Sequence, residues 1–228
     1  MENEHPKEER WFHHHRANEG SRWFELYRCY ALDESVLFSA QADRLGNPMP
    51  VFIGDRNVAE IVNRKNYVAN GRTDFQCLET GNLIGSYSRI GRVYDSNDRK
   101  IGRWRDARKW TEEFKENLID ALANAVFGGG DAPVGANPGD VQVLSEGKTV
   151  LAVLQREQMP FFPDPPKSME PSKVAKLASR VIPGKLGKSL GEVTPPSGWK
   201  LSIFLTAENI SLIRYAALTH LEFMRWSR

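Results

Sequence analysis

The sequence is poor in cysteine and has no long hydrophobic run. Only Cys29 and Cys77 occur in 228 residues, which is too few for a disulfide framework and favours a reduced compartment. The charged start, MENEHPKEER, contains no apolar segment of the kind found in secretory signals. There is also no run of about 18 uncharged apolar residues that could cross a membrane as a helix. These absences predict a cytoplasmic protein.

An excess of charge of one sign is missing as well. The chain has 31 basic and 29 acidic side chains, giving a formal net charge of +2. Bulk charge therefore gives no support for a dedicated nucleic-acid-binding protein, although local basic clusters remain possible binding sites. With 40% hydrophobic and 10% aromatic residues, the chain has enough apolar material for a sizeable core.

Four stretches have the composition of irregular structure. The first, residues 1–21, is polar and contains His13, His14 and His15, which predicts a disordered, solvated N-terminal segment. The other three are rich in glycine or proline and predict long loops: 128–140, 159–172 and 183–198. No segment between the loops could form a core alone. We therefore expect a single domain over 22–228, with insertions near 107–140 and 158–198.

Most of the remaining chain alternates like β-strands, and one hairpin pattern is repeated. Ile84-Gly85 recurs 17 residues later as Ile101-Gly102, and a turn precedes each pair, at 79–82 and at 95–98. A third hairpin is predicted around Ser145-Glu146-Gly147. Further strands are predicted in RWFELYRCY (22–30), SVLFSA, VFIG, AEIVNR and WKLSIFL (199–205). Successive hairpins form an antiparallel meander, and a long meander usually closes into a barrel that has no free edge.

Helical periodicity predicts three helices, at 111–127, 172–182 and 207–226. The last is apolar around nearly its whole circumference, which indicates burial inside another element. Arg214, His220 and Glu222 make it a poor membrane span. The predicted fold is α+β and mainly β: an antiparallel meander closed into a barrel around a hydrophobic C-terminal helix, with inserted helices and long loops.

Three segments resemble the tubby-like barrel superfamily, and in particular its phospholipid scramblase-like and LURP-one-related branch. They are TGNLIGSYSRIGRVYDSNDRKIGRW, VLSEGKTVLAV and LSIFLTAENISLIRYAALTHLEFM, within a region of about 22–226. The resemblance implies repeated hairpins around a buried terminal helix. It further implies a non-enzymatic binding or scaffolding module, peripherally attached to phosphoinositide or another anionic phospholipid.

The candidate phosphate-binding and calcium-binding motifs each lack residues that the motif requires. The tripeptides at Gly147 and Gly187 lack the earlier glycine of a phosphate-binding loop. Asp95, Asn97 and Asp98 suggest calcium, but Arg99 and Lys100 stand where a calcium loop needs an oxygen ligand and a glycine. His220 is expected to be a hydrogen-bonded core histidine, and both cysteines are expected to be buried. We therefore predict no catalytic residue, no metal site and no cofactor.

One basic cluster remains as a candidate binding surface. It consists of six cations with two interleaved aromatic residues: Arg89, Arg92, Lys100, Arg103, Arg105 and Arg108, with Trp104 and Trp110. Alternation along a strand places Arg103 and Arg105 on one face and Trp104 on the other. Outward guanidinium groups would suit phosphate. Two alternatives stay open: a solvated face paired with Asp95, Asp98 and Asp106, or a nucleic-acid or protein-interaction surface on which Trp104 or Trp110 stacks against bases.

Overall fold

The computed structural model describes residues 6–19, 22–43, 48–63, 71–107, 140–163, 196–204 and 209–226. The helices predicted at 111–127 and 172–182 lie outside these ranges, as do most of the three predicted loops. The described part contains twelve strands: β1 (Glu8–Glu19), β2 (Arg22–Tyr30), β3 (Val36–Ala42), β4 (Met49–Ile53), β5 (Arg56–Asn63), β6 (Arg72–Cys77), β7 (Leu83–Ser88), β8 (Arg92–Asp95), β9 (Lys100–Asp106), β10 (Val141–Glu146), β11 (Thr149–Gln158) and β12 (Ser197–Ile203). One helix, α1 (Ile210–Trp226), follows them.

The twelve strands form one closed antiparallel barrel. Each strand pairs with its neighbours in sequence, and β1 pairs with β12 to complete the circle, in register from Glu8 opposite Ile203 to Phe12 opposite Trp199. Closure leaves no edge strand with unpaired backbone groups. The prediction of a meander closed into a barrel is confirmed.

The turns of the three predicted hairpins form as the sequence indicates. Gly81 and Gly147 have φ angles of 70° and 57°, a conformation that glycine adopts without a steric penalty. In the second turn, Asp95 Oδ1 accepts the backbone N–H groups of Asn97 at 2.9 Å and Arg99 at 2.8 Å. The carboxylate of Asp95 therefore holds the turn together.

The expectation of a disordered N-terminus is wrong for residues 8–19, which form β1. Trp11 and Phe12 are both buried, on opposite faces of the strand. Phe12 packs edge-on against Phe38 inside the barrel, at 6.1 Å between ring centroids, while Trp11 joins Tyr30, Met159 and Phe161 in a small outer cluster. Without β1, strands β2 and β12 would have unpaired edges, so closure orders a stretch that is polar in composition.

Helix α1 runs inside the barrel. Arg214 bonds Glu8 of β1 through two contacts of 2.7 Å, and the ring of Tyr215 lies 5.8 Å from that of Phe38 on β3. Further along, His220 bonds Tyr87 of β7 and Gln142 of β10. Because these partners come from strands all around the circle, the helix is enclosed by the sheet. The predicted central C-terminal helix is confirmed.

The repeated Ile-Gly pair has a structural role. Gly85 lies on the inner face of β7, where a Cβ would come within 2.5 Å of both Leu212 Cδ1 on α1 and the backbone oxygen of Tyr94. Gly102 is the equivalent position on β9, where a Cβ would meet Leu144 Cδ1 at 3.0 Å and Leu151 Cδ1 at 3.1 Å. Both glycines therefore make room for the barrel's contents.

Alanine at the two positions should have unequal effects. Gly85→Ala should lower the free energy of unfolding by about 1–3 kcal/mol, because a backbone oxygen cannot move aside. Gly102→Ala should cost less, because its two closest contacts are leucine side-chain ends that can shift, while the backbone oxygen of Ser145 is farther away, at 3.2 Å. Alanine also gains about 0.5–1 kcal/mol in conformational entropy. Urea unfolding of both variants measures the difference. Equal losses would contradict this account of the repeat.

Candidate functional site

The candidate basic surface lies on the outside of β8 and β9 and on the turn that precedes them. Gly102 and Trp104 point inward on β9, so Arg103 and Arg105 point outward, as alternation predicts. Arg92, on β8, is the direct cross-strand partner of Arg103. Arg89 is exposed in the turn between β7 and β8, and Lys100 is exposed at the start of β9. We call these five cations the basic face. Arg108 and Trp110 lie outside the described residues.

A tight turn fixes the position of the apolar side chain at the centre of this surface. Ile90 is 51% exposed and lies between Arg89 and Arg92 in sequence. Gly91, with a φ angle of 81°, donates its N–H to Ser88 O at 2.8 Å and accepts Trp104 N–H at 2.8 Å. Arg103 Nε donates to the carbonyl of Ile90 at 2.9 Å. The turn thus presents Ile90 to solvent and holds one arginine beside it.

Two of the three acidic residues proposed as partners of these cations, Asp95 and Asp98, bond to other groups. Asp98 pairs with Arg72, whose guanidinium carbon also lies 3.8 Å from the centroid of the Tyr94 ring. Asp95 accepts backbone N–H groups in its own turn. Among the described residues, Arg92, Lys100 and Arg103 form no ion pair. Arg89, Arg105 and Asp106 each make further contacts.

Trp104 does not lie on this surface, so its predicted role as a stacking platform is wrong. The side chain is 2% exposed and points into the barrel, where its ring stacks on that of His220 at 5.4 Å and 13°. Strand alternation predicts that Trp104 lies on the face opposite the arginines. Closure of the barrel makes that face the interior of the protein.

His220 lies at the centre of the barrel, in agreement with the prediction of a core histidine. Its Nδ1 is 2.8 Å from Tyr87 Oη, and its Nε2 is 3.1 Å from Gln142 Oε1. A neutral imidazole can satisfy both contacts, donating through one nitrogen and accepting through the other. Burial lowers the pKa of His220 to about 3. It is therefore a neutral structural group at ordinary pH.

The two cysteines differ in burial and in the direction of their thiol pKa shift. Cys29 is fully buried as predicted, and burial raises the pKa of its thiol to about 12. Cys77 is half-buried at the end of β6, where hydrogen bonding to Thr80 lowers its thiol pKa. The prediction of burial is thus right for Cys29 and wrong for Cys77, because β6 ends at that residue.

The sequence analysis missed a pocket in one mouth of the barrel. This mouth pocket has a volume of about 350 Å³, and its lining includes Phe12, His14, Tyr27, Arg156, Trp199 and Met224. These residues come from β1, β2, β11, β12 and the last turns of α1. A single sequence gives little sign of such a pocket, although Arg156 at the end of the apolar run of β11 is an inward charge that strand periodicity could have located.

The three consecutive histidines belong to β1, and alternation along the strand places them on two different faces. His14 Nε2 lies 2.5 Å from Glu25 Oε2 on β2, in the mouth of the barrel. His13 and His15 share the other face, where Nδ1 of His13 is 2.7 Å from Nε2 of His15. The pKa of His13 and the pKa of His15 are both lowered to about 4. Burial is the main cause, and neighbouring positive groups contribute less. The expectation of solvated histidines is therefore wrong for His13 and His15, whereas His14 is exposed. In the described part of the chain, no group of three metal-ligating side chains is found.

Comparisons with protein-family models, with curated proteins and with solved structures return no match. Over the described residues, no helix has the length and apolar character needed to cross a bilayer.

Acidification should destabilise the protein through its neutral buried histidines. The folded pKa of His220, about 3, lies below the ordinary value of 6.5. Between these values the unfolded chain binds one more proton, so stability is lost as the pH falls from about 6.5. His220→Gln should remove up to ~1.4 kcal/mol per pH unit of this dependence near pH 5. Urea unfolding at several pH values measures the slope.

Tyr87→Phe is the control for this experiment. It removes one hydrogen bond but keeps the buried histidine, so it should lower stability and leave the pH slope intact. An unchanged slope in His220→Gln would show that the histidine does not titrate as its burial requires.

Proposed function

We propose that this protein is a non-enzymatic binding module that attaches peripherally to membranes containing phosphoinositide or another anionic phospholipid. The observation that carries the proposal is the exposed Ile90 held among the cations of the basic face. An apolar tip surrounded by arginines can insert below the headgroups while the guanidinium groups contact phosphate. We further propose a cytoplasmic location with peripheral membrane attachment.

The pairing of Arg92 with Arg103 supports an anionic ligand. Like charges directly opposite each other on adjacent strands destabilise a sheet. Arg103 uses Nε to bond the carbonyl of Ile90, and its terminal nitrogens make no hydrogen bond to the described residues. Arg92 has no side-chain partner among them either. A phosphate group between these two side chains would relieve the repulsion and accept bonds from both planar forks.

The position of Trp104 favours lipid over nucleic acid. Binding of single strands relies on aromatic rings exposed beside the cations. Here the tryptophan of β9 faces the interior, the ring of Tyr94 beside the cations is covered on one side by the guanidinium of Arg72, and the most exposed apolar side chain among the cations is the aliphatic Ile90. An aliphatic side chain offers no stacking surface to a base, but it can enter a bilayer. The resemblance of three segments to the tubby-like superfamily points to the same ligand class.

Liposome flotation tests the proposal. Wild-type protein should float with vesicles that contain phosphoinositide, should not float with neutral vesicles, and should be released by salt. Arg92→Gln/Arg103→Gln should abolish flotation. Ile90→Ser should reduce the partition coefficient about tenfold or more, since burying an aliphatic side chain contributes about 1.5–3 kcal/mol.

Arg16→Gln/Arg56→Gln is the matched control, because it removes two exposed arginines from β1 and from the start of β5. This variant should float like the wild type, and circular dichroism should show all variants folded. Absence of wild-type flotation at low salt would refute the proposal. Equal flotation of Ile90→Ser would refute insertion, and a salt-sensitive gel shift with single-stranded RNA in its place would favour the nucleic-acid alternative.

A further inference from the structure

The mouth pocket has an apolar wall built by inward-facing positions of three strands and the end of the helix. Phe12, Trp199 and Tyr27 face inward from β1, β12 and β2, and Leu221 and Met224 form the side contributed by α1. Its volume of about 350 Å³ falls within the range of about 300–1,000 Å³ in which small-molecule sites are found. Barrel mouths are a common position for such sites.

Several charged groups in this mouth form one hydrogen-bonded network. Arg225 bonds Glu222 at 2.8 and 3.2 Å and Glu25 at 3.0 Å, and Tyr27 donates its hydroxyl to Glu222. The remaining oxygen of Glu25 lies 2.5 Å from His14. Burial and the neighbouring Glu222 carboxylate raise the pKa of Tyr27, so its hydroxyl stays protonated and donates. Both oxygens of Glu25 and of Glu222 are therefore already bonded within the network.

Arg156 lies outside this network and forms only a long ion pair, with Asp140. It stands directly across from Trp199 in the β11–β12 pairing, and its side chain is 46% exposed. The nearest described carboxylate oxygen, on Asp140, is 3.9 Å from Nη1, beyond hydrogen-bonding distance. Of the two arginines that line the pocket, Arg156 thus has guanidinium donors that form no hydrogen bond to the described residues, beside the indole ring of Trp199.

We infer that the mouth pocket binds a small anion with an apolar body, of the class of medium-chain carboxylates. The carboxylate would accept two hydrogen bonds from the fork of Arg156. The apolar body would lie against Trp199, Met224 and Leu221. This site is separate from the basic face, which lies on the outside of β8 and β9.

Isothermal titration calorimetry with decanoate tests the site, with decanol and decyltrimethylammonium as probes of equal chain length. Wild-type protein should bind decanoate more tightly than either comparison compound. Arg156→Gln should weaken decanoate binding about tenfold or more and leave decanol binding unchanged, since a charged hydrogen bond is lost. Met224→Trp should fill the pocket and abolish binding of both.

Arg56→Gln, which removes an exposed arginine at the turn between β4 and β5, is the matched control and should bind decanoate like the wild type. No heat of binding for decanoate with the wild type would overturn the inference. Tighter binding of the trimethylammonium compound, or an unchanged affinity in Arg156→Gln, would also overturn it. A loss in Met224→Trp counts only if thermal unfolding shows that variant to be folded.

Discussion

A closed sheet of twelve strands encloses more space than the side chains of the strands can fill, and helix α1 occupies that space. The contacts of the helix explain the residues around it. Gly85 leaves room for Leu212, and the small residues Ala216 and Ala217 are fully buried. His220 can lie at the centre because Tyr87 and Gln142 meet both of its ring nitrogens. The interior is thus a packed core that includes a few satisfied polar groups.

Because side chains fill the interior, the candidate binding sites lie on the outer wall and in the mouth of the barrel. On the outer wall, alternation directs Arg103 and Arg105 outward, because Trp104 between them packs inward against His220. The same strands therefore supply the core and the basic face with alternate residues. The turn at Gly91 adds Ile90 to that face and is itself fixed by a backbone bond to Trp104. Core packing and the geometry of the proposed membrane surface are coupled through a single residue of β9.

At the end of the barrel where α1 ends, the lumen is not filled and an open mouth remains. Here Arg225, Glu25 and Glu222 tie the last turns of α1 to β2, and Tyr27 adds a further bond. This network ties the helix end to β2 and engages the oxygens of both carboxylates, and Arg156 lies outside it. A pocket with an apolar wall, lined by Arg225 of the helix and Arg156 of β11, results from the end of the helix and the inward register of β11.

The sequence by itself determined the meander, its turns, the outward direction of Arg103 and the burial of the last helix. These depend on local rules: period-two alternation, glycine at positive φ and an apolar circumference. Only the tertiary structure decided that residues 8–19 form a strand, because that order depends on closure against β12, almost 190 residues away. It likewise decided that Trp104 is inside and that Arg156, Trp199 and Met224 share a pocket. Such positions depend on which distant elements meet, and no local pattern records that.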